Sequence, residues 1–355
     1  MYRTTNRLLP VGVLFAALIV TAQAWGAPGG DKVRLWPDNL FGVDFVSASV
    51  GYVSGYAGTL LRTRDGGRTW QWSHAGVDEL LRRMAFVDEE HGWAVGHRGS
   101  ILNTEDGGES WAIQHQQAGV YLRDIAFFDR KQGWAVGHDA TILVTGDGGE
   151  TWQQQALTGF KGRDLPRLHG VVALDAERAV VVGEFGVVAV TADGGATWPV
   201  QKAATNKTLL DVAHLGGEVF VVAGLDGTLL RLQPGAADAE AADERLTASL
   251  IQVDTQEHFF AVTDAGHGRA LATGRSVVTL IEGEGVTHLV PDATIQLPFT
   301  WFAGVDLGTD DRFWLVGIRG AIASGSLSEG RFSSAAALGS SDNVRAGGAG
   351  REVEQ

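Results

Sequence analysis

Cysteine is absent from the 355 residues. Without it there are no disulfides, so any fold is held by packing, and no cysteine-based catalytic site exists. A lipid-anchored bacterial envelope protein needs a cysteine at its cleavage site, so that mode of attachment is excluded too. Proline is scarce at 8 residues while glycine reaches 49, nearly twice its usual share of about 7%. That balance excludes a disordered linker composition and points to a chain dense in tight turns. Beyond the first 24 residues no apolar run is long enough to span a bilayer, and no serine-elbow or phosphate-loop motif occurs. Basic residues are outnumbered, 28 Lys and Arg against 42 Asp and Glu, for a formal charge of -14. A chain that acidic is a poor general binder of nucleic acid or anionic lipid.

What is present begins with MYRTTNRLLPVGVLFAALIVTAQA, in which Arg3 and Arg7 are the only charges, Leu8 to Val20 is apolar, and Ala22-Gln23-Ala24 offers small residues for cleavage. This is the pattern of a secretory signal peptide over 1–24. Thirteen apolar residues interrupted by Pro10 fall short of the ~20 that a membrane anchor needs. Cleavage takes the formal charge from -14 to -16 and predicts a soluble, periplasmic or otherwise exported protein.

One octet recurs four times: TRDGGRTW (63–70), TEDGGESW (104–111), TGDGGETW (145–152) and TADGGATW (191–198), at spacings of 41, 41 and 46. A second element, GWAVG in its clearest copies, ends at Gly55, Gly96, Gly137, Gly183, Gly224, Gly274 and Gly317. Alternating apolar stretches such as MAFVD and TILVT flank each copy. Four short strands in each unit of 41 to 50 residues is the signature of a propeller blade. Seven units predict an all-β fold over 31–333, a seven-bladed β-propeller with four-stranded antiparallel blades.

Turn chemistry accounts for the octet. Asp65, Asp106, Asp147 and Asp193 are placed to accept backbone N–H bonds in their own turns, and the glycines after them can take positive φ. Trp70, Trp111, Trp152 and Trp198 are expected to wedge between blades as structural residues. Blades 5 to 7 lack the octet. Residues 234–245 read as a loop insertion in blade 5, 334–355 as a structureless tail, and 33–37 (VRLWP) as a strand closing the ring against the last blade.

T-x-D-x-G-x-T-W is the Asp-box, or BNR, pattern of sialidase-like propellers. With IAFFD and GWAVGHDATILVTGDGGETW beside it, the chain more specifically resembles the photosystem II stability/assembly factor family, including its relatives in non-photosynthetic bacteria. The resemblance covers residues 33–325 and is strongest over 41–200. It implies a non-catalytic chaperone that binds a newly made membrane protein, or an exported accessory protein associated with RND-type (MMPL) lipid exporters. It also implies an arginine patch used for partner binding.

The repeat itself places such a patch. Fourteen residues before each strand-ending glycine stand Phe41, Arg82, Arg123, His169, Leu210, Phe260 and Ala303, at the start of the innermost strands. Arg83 and Arg167 adjoin them, with Lys161 and Arg163 in the preceding loop. Arg82, Arg83, Arg123, Arg167 and His169 are therefore the expected partner-binding residues, their forks suited to carboxylates on another chain. The competing reading pairs Arg82 with Glu79 and Arg123 with Asp124 as solvated surface.

His97 and His138 sit at equivalent turns, but Glu184 stands there in blade 4, so a turn role is expected and no metal or other cofactor. The expected partner is a membrane protein or envelope complex, met as a chaperone or as a lasting subunit, and not nucleic acid or the membrane itself. The alternative is an Asp-box glycoside hydrolase. A sialidase needs three arginines, a nucleophilic tyrosine and acidic partners, and other glycosidases need two opposed carboxylates. Only Tyr52, Tyr56 and Tyr121 remain after the signal segment, and no Phe-Arg-Ile-Pro motif precedes the first octet. Tyr121, two residues from Arg123, keeps that alternative open.

Overall fold

Alternating apolar residues turn each repeat into short strands, and in the computed structural model the innermost strands are Leu40–Phe45, Leu81–Phe86, Leu122–Phe127, Leu168–Ala173, Leu209–His214, Phe259–Asp264 and Phe302–Leu307. They define blades 1 to 7. The structure describes residues 39–202, 204–235, 245–308, 311–337 and 344–346, so the signal segment, 33–37 and most of the blade 5 insertion lie outside it. Each innermost strand packs on the next, and the seventh returns to the first, which closes a ring of seven. Blade 1 shows the plan, with Leu40–Phe45, Gly51–Gly55, Thr59–Thr63 and Trp70–His74 paired antiparallel in that order. The seven-bladed, all-β expectation is met.

Two blades depart from the plan. Blade 4 has three regular strands, and the place of its fourth is taken by Trp198–Pro199, paired in parallel with Leu157–Thr158. Pro199 has no N–H to give a ladder. In blade 7 the outer strand runs Arg331–Ala337, so the chain is regular past 333, and Val344–Ala346 lies parallel to the outer strand of blade 1. Blade 7 draws its four antiparallel strands from one stretch, and among the described residues the ring closes by packing and hydrogen bonds. Phe45 N donates to Asp306 Oδ2 at 2.7 Å, and Arg319 N donates to Asn39 Oδ1 at 2.8 Å.

The GWAVG element is an inter-blade fastening. A Cβ on its first glycine would collide with a phenylalanine ring of the same blade, at 2.6 Å for Gly51 and Phe45, 2.4 Å for Gly92 and Phe86, and 2.5 Å for Gly133 and Phe127. That ring is covered on its other side by the aromatic of the preceding blade. Tyr52 stacks on Phe86 and Trp93 on Phe127, both at 3.6 Å, and Trp314 stacks on Phe45 at 4.8 Å. The octet tryptophans meet the same rings edge-on at about 6 Å: Trp70 on Phe45, Trp111 on Phe86 and Trp152 on Phe127. Each octet tryptophan lies in a core cluster shared with the preceding blade, as Trp70 with Trp314 of blade 7 and Trp198 with Trp134 of blade 3.

Each octet turn is closed the same way. In blade 3, Thr145 Oγ1 accepts from Gly149 N at 2.8 Å and donates to Asp147 Oδ1, while the two Asp147 oxygens accept from Thr151 N and Thr151 Oγ1. These bonds hold the Asp147 carboxyl down at about 2. The stacked pair joins blades 7 and 1, 1 and 2, and 2 and 3 only; its places are held by Trp134 and Ala173, Val180 and His214, Val221 and Asp264, and Leu271 and Leu307 at the other four boundaries. Aliphatic side chains fill the boundary between blades 4 and 5, where a cavity of about 250 Å³ opens beside Val180, Val190, Phe220 and Leu246.

Candidate functional site

The second residue of every innermost strand is a β-bulge, because pairing slips between the first and third residues in all seven blades. The seven bulged residues are Phe41, Arg82, Arg123, His169, Leu210, Phe260 and Ala303, the ring counted from the sequence. A bulge re-aims a side chain, here at one mouth of the central channel. One further residue stands at that end of each blade, immediately before the innermost strand. Its carbonyl accepts from the residue after the strand-ending glycine in all seven blades, as in Leu80 O with His97 N and Tyr121 O with His138 N.

The arginines expected to act together divide three ways. Arg82 lies with its guanidinium 4.8 Å over the Phe41 ring, and no acceptor among the described residues takes a hydrogen bond from it. Burial, then Arg83 and Arg123 beside it, pull its pKa down to about 9, and it stays charged at neutral pH. Arg123 donates from Nε to His138 Nε2 at 3.1 Å, and its pKa is also lowered, mostly by burial. Arg167 is bound to Glu184 through both its side chain and its own N–H. The solvated pairs weighed above do not form, since Glu79 holds Arg98 and Asp124 points to backbone N–H groups.

Arg83 faces the channel interior instead of the mouth. Its Nη1 donates to Phe41 O at 2.8 Å and Ala303 O at 3.0 Å, and its Nη2 meets Asp211 Oδ2 at 3.1 Å. One side chain thus ties blades 1, 2, 5 and 7 across the channel, with three of its donors engaged within the ring. Four channel carboxylates also staple neighbours, each accepting a backbone N–H from the next blade: Asp306 from Phe45, Asp44 from Phe86, Asp124 from Val171 and Asp211 from Val262. Burial raises all four, Asp44 to about 6 and Asp124, with Asp211 adding to the effect, to about 7.

The histidines at the mouth are neutral. Burial, then Arg123 and Arg82, depress His169 to about 3, and His97 and His138 are lowered for similar reasons. His97 and His138 both lie against the Tyr121 ring, at 4.8 and 5.1 Å, and no group of three metal-ligating side chains converges among the described residues.

The opposite arc of the mouth is aromatic. Phe41 stacks with Trp301 at 6.0 Å and meets Tyr56 edge-on at 5.3 Å, and Phe260 meets Trp301 edge-on at 6.4 Å. Attention to charge passed over this arc, although Phe41 and Phe260 stand in the same counted ring as the arginines. Asp211, the Arg83 partner 128 residues away, left no local signal.

A sequence model of the family described as Photosynthesis system II assembly factor YCF48 matches residues 72–120 and 113–206. Among solved structures, "YCF48 bound to D1 peptide" is similar with a TM-score of 0.62 and 18% identity, over 81% of this chain and 93% of that one. YCF48 from Cyanidioschyzon merolae gives 0.65 and 15%, over 83% and 97%. An ancestral GH74 enzyme gives 0.66 and 11%, over 84% of this chain and 46% of that one. No curated protein sequence matches. At such identities the structural likeness establishes the propeller fold.

Proposed function

We propose that the chain, whose residues 72–206 carry the repeat of the photosystem II assembly-factor family, is a non-catalytic propeller that binds a segment of another protein at the channel mouth. Arg82 carries this reading. Its guanidinium is held over a ring, beside Arg123, with no acceptor from its own chain among the described residues. A fixed, partly desolvated guanidinium makes a strong, often bidentate bond to a carboxylate. The relative solved with a D1 peptide supports the reading, because a propeller of this architecture there holds a peptide. The partner would be a membrane protein or envelope complex met after export, such as a lipid exporter, whose assembly or operation the propeller assists.

Glycoside hydrolysis is less well supported. It needs two carboxylates facing a substrate, whereas Asp44, Asp124, Asp211 and Asp306 are engaged in joining blades. The test is a crosslinked affinity purification from envelope extract, comparing wild type with an Arg82→Glu/Arg123→Glu variant. A membrane protein recovered by the first and lost by the second is expected. Equal recovery removes the arginines from the reading.

A further inference from the structure

We infer that the channel mouth reads two chemistries side by side, so that the segment it takes carries a large apolar side chain next to its carboxylate. This rests on the partner-binding reading above and adds a second subsite to it.

The cationic and aromatic arcs are one continuous surface. Arg82 belongs to the first and lies over Phe41 of the second, and Phe41 in turn stacks on Trp301. Phe41, Leu80 and Ala303 form with Trp301 a small apolar cluster separate from the larger cores. Two residues before Trp301 in the chain, Phe299 is 79% exposed at the end of the short turn Leu297–Phe299, and Tyr56, edge-on to Phe41, is 42% exposed. Ring closure does not demand aromatics there, because the same ring position holds His169 and Leu210 in blades 4 and 5.

The occupant follows from complementarity. Phe41 is itself buried, but a carboxylate alone on Arg82 leaves the Phe299 and Tyr56 rings in water. An apolar side chain beside that carboxylate covers them and dries the ion pair, which strengthens it. Aromatic residues and arginine with little else charged is also the make-up of the central, energetically dominant part of protein interfaces. The partner is thus an extended peptide in which an acidic residue or chain terminus adjoins Phe, Trp or Leu.

The test is fluorescence polarisation of the full chain with four labelled peptides of equal length on a Gly/Ser background. They carry a carboxylate beside Phe, a carboxylate alone, Phe alone, or neither, and each is made with free and amidated C-termini. The first should bind about 10-fold more tightly than the second. Trp301→Ala, and independently the surface change Phe299→Ser, should erase that advantage while leaving the second unchanged, and Arg82→Gln should weaken both. Loss of affinity on amidation assigns the carboxylate to the terminus, and its retention assigns it to a side chain; either is compatible with the two-part site. Equal affinity for the first two peptides, unmoved by Phe299→Ser, overturns the aromatic subsite and leaves the docking reading standing. Failure of every carboxylate peptide to bind overturns both.

Discussion

Gly96 has no room for a methyl group: a Cβ there would lie 1.9 Å from Leu80 O, and the carbonyl is fixed because it accepts from His97 N. Gly96→Ala should cost about 1–3 kcal/mol, the scale of a forced backbone shift, read as a lower urea midpoint at unchanged slope. Thr145 is buried and its hydroxyl serves both Gly149 N and Asp147. Thr145→Val leaves that N–H without its partner, and a loss of about 1–3 kcal/mol is expected in the same measurement. At this scale the sequence was legible by position and less so by role. Counting back from the glycines located Arg82 and Arg123 at the mouth, but Arg83, one residue on, turns to the other side and bonds Phe41 O, Ala303 O and Asp211. No spacing rule reports that its acceptor lies in blade 5.

Fastening between blades belongs to the element scale. Trp93 of blade 2 and Phe127 of blade 3 stack at 3.6 Å, and Trp93 Nε1 also donates to Gly148 O in the blade 3 octet turn. Trp93→Ala or Phe127→Ala should each cost about 3–5 kcal/mol. The double variant should cost less than the sum, with a coupling of about 0.5–1.5 kcal/mol. Additive losses would show that the stack is only two burials. Strands and blade number were readable because the period is set by glycines and turn residues. The outer strand of blade 4 was not, because its octet resembles the others and only Pro199, one residue later, breaks the ladder.

The whole molecule carries opposed titrations. Asp124 is raised to about 7 from 3.8, so the folded state holds its proton more tightly than the unfolded chain. That contribution is complete below the unfolded value and is lost as pH rises through 7. His169 is depressed to about 3 from 6.5, so its contribution is complete above 6.5 and is lost as pH falls toward 3. In urea unfolding between pH 8 and 5, wild type should gain on Asp124→Asn as pH falls. Over the same range it should lose ground to His169→Gln below pH 6.5. A difference that stays flat in either pair would contradict the burial assigned to that residue.

The boundary between blades 4 and 5 is crossed by the exposed Arg178–Glu218 pair and by Leu246 N donating to Gln201 Oε1, with a cavity where three other boundaries stack rings. Where blade 7 meets blade 1, by contrast, Trp314 lies on Phe45 and Asp306 holds Phe45 N. The meeting of the ring's two ends is therefore fastened by a stacked pair that the boundary between blades 4 and 5 lacks. Amide exchange along Val188–Thr191 should outpace exchange along Leu40–Phe45. An opening at that boundary would lie next to the cationic arc and widen the circumference of the mouth for a bulky guest without undoing the closure.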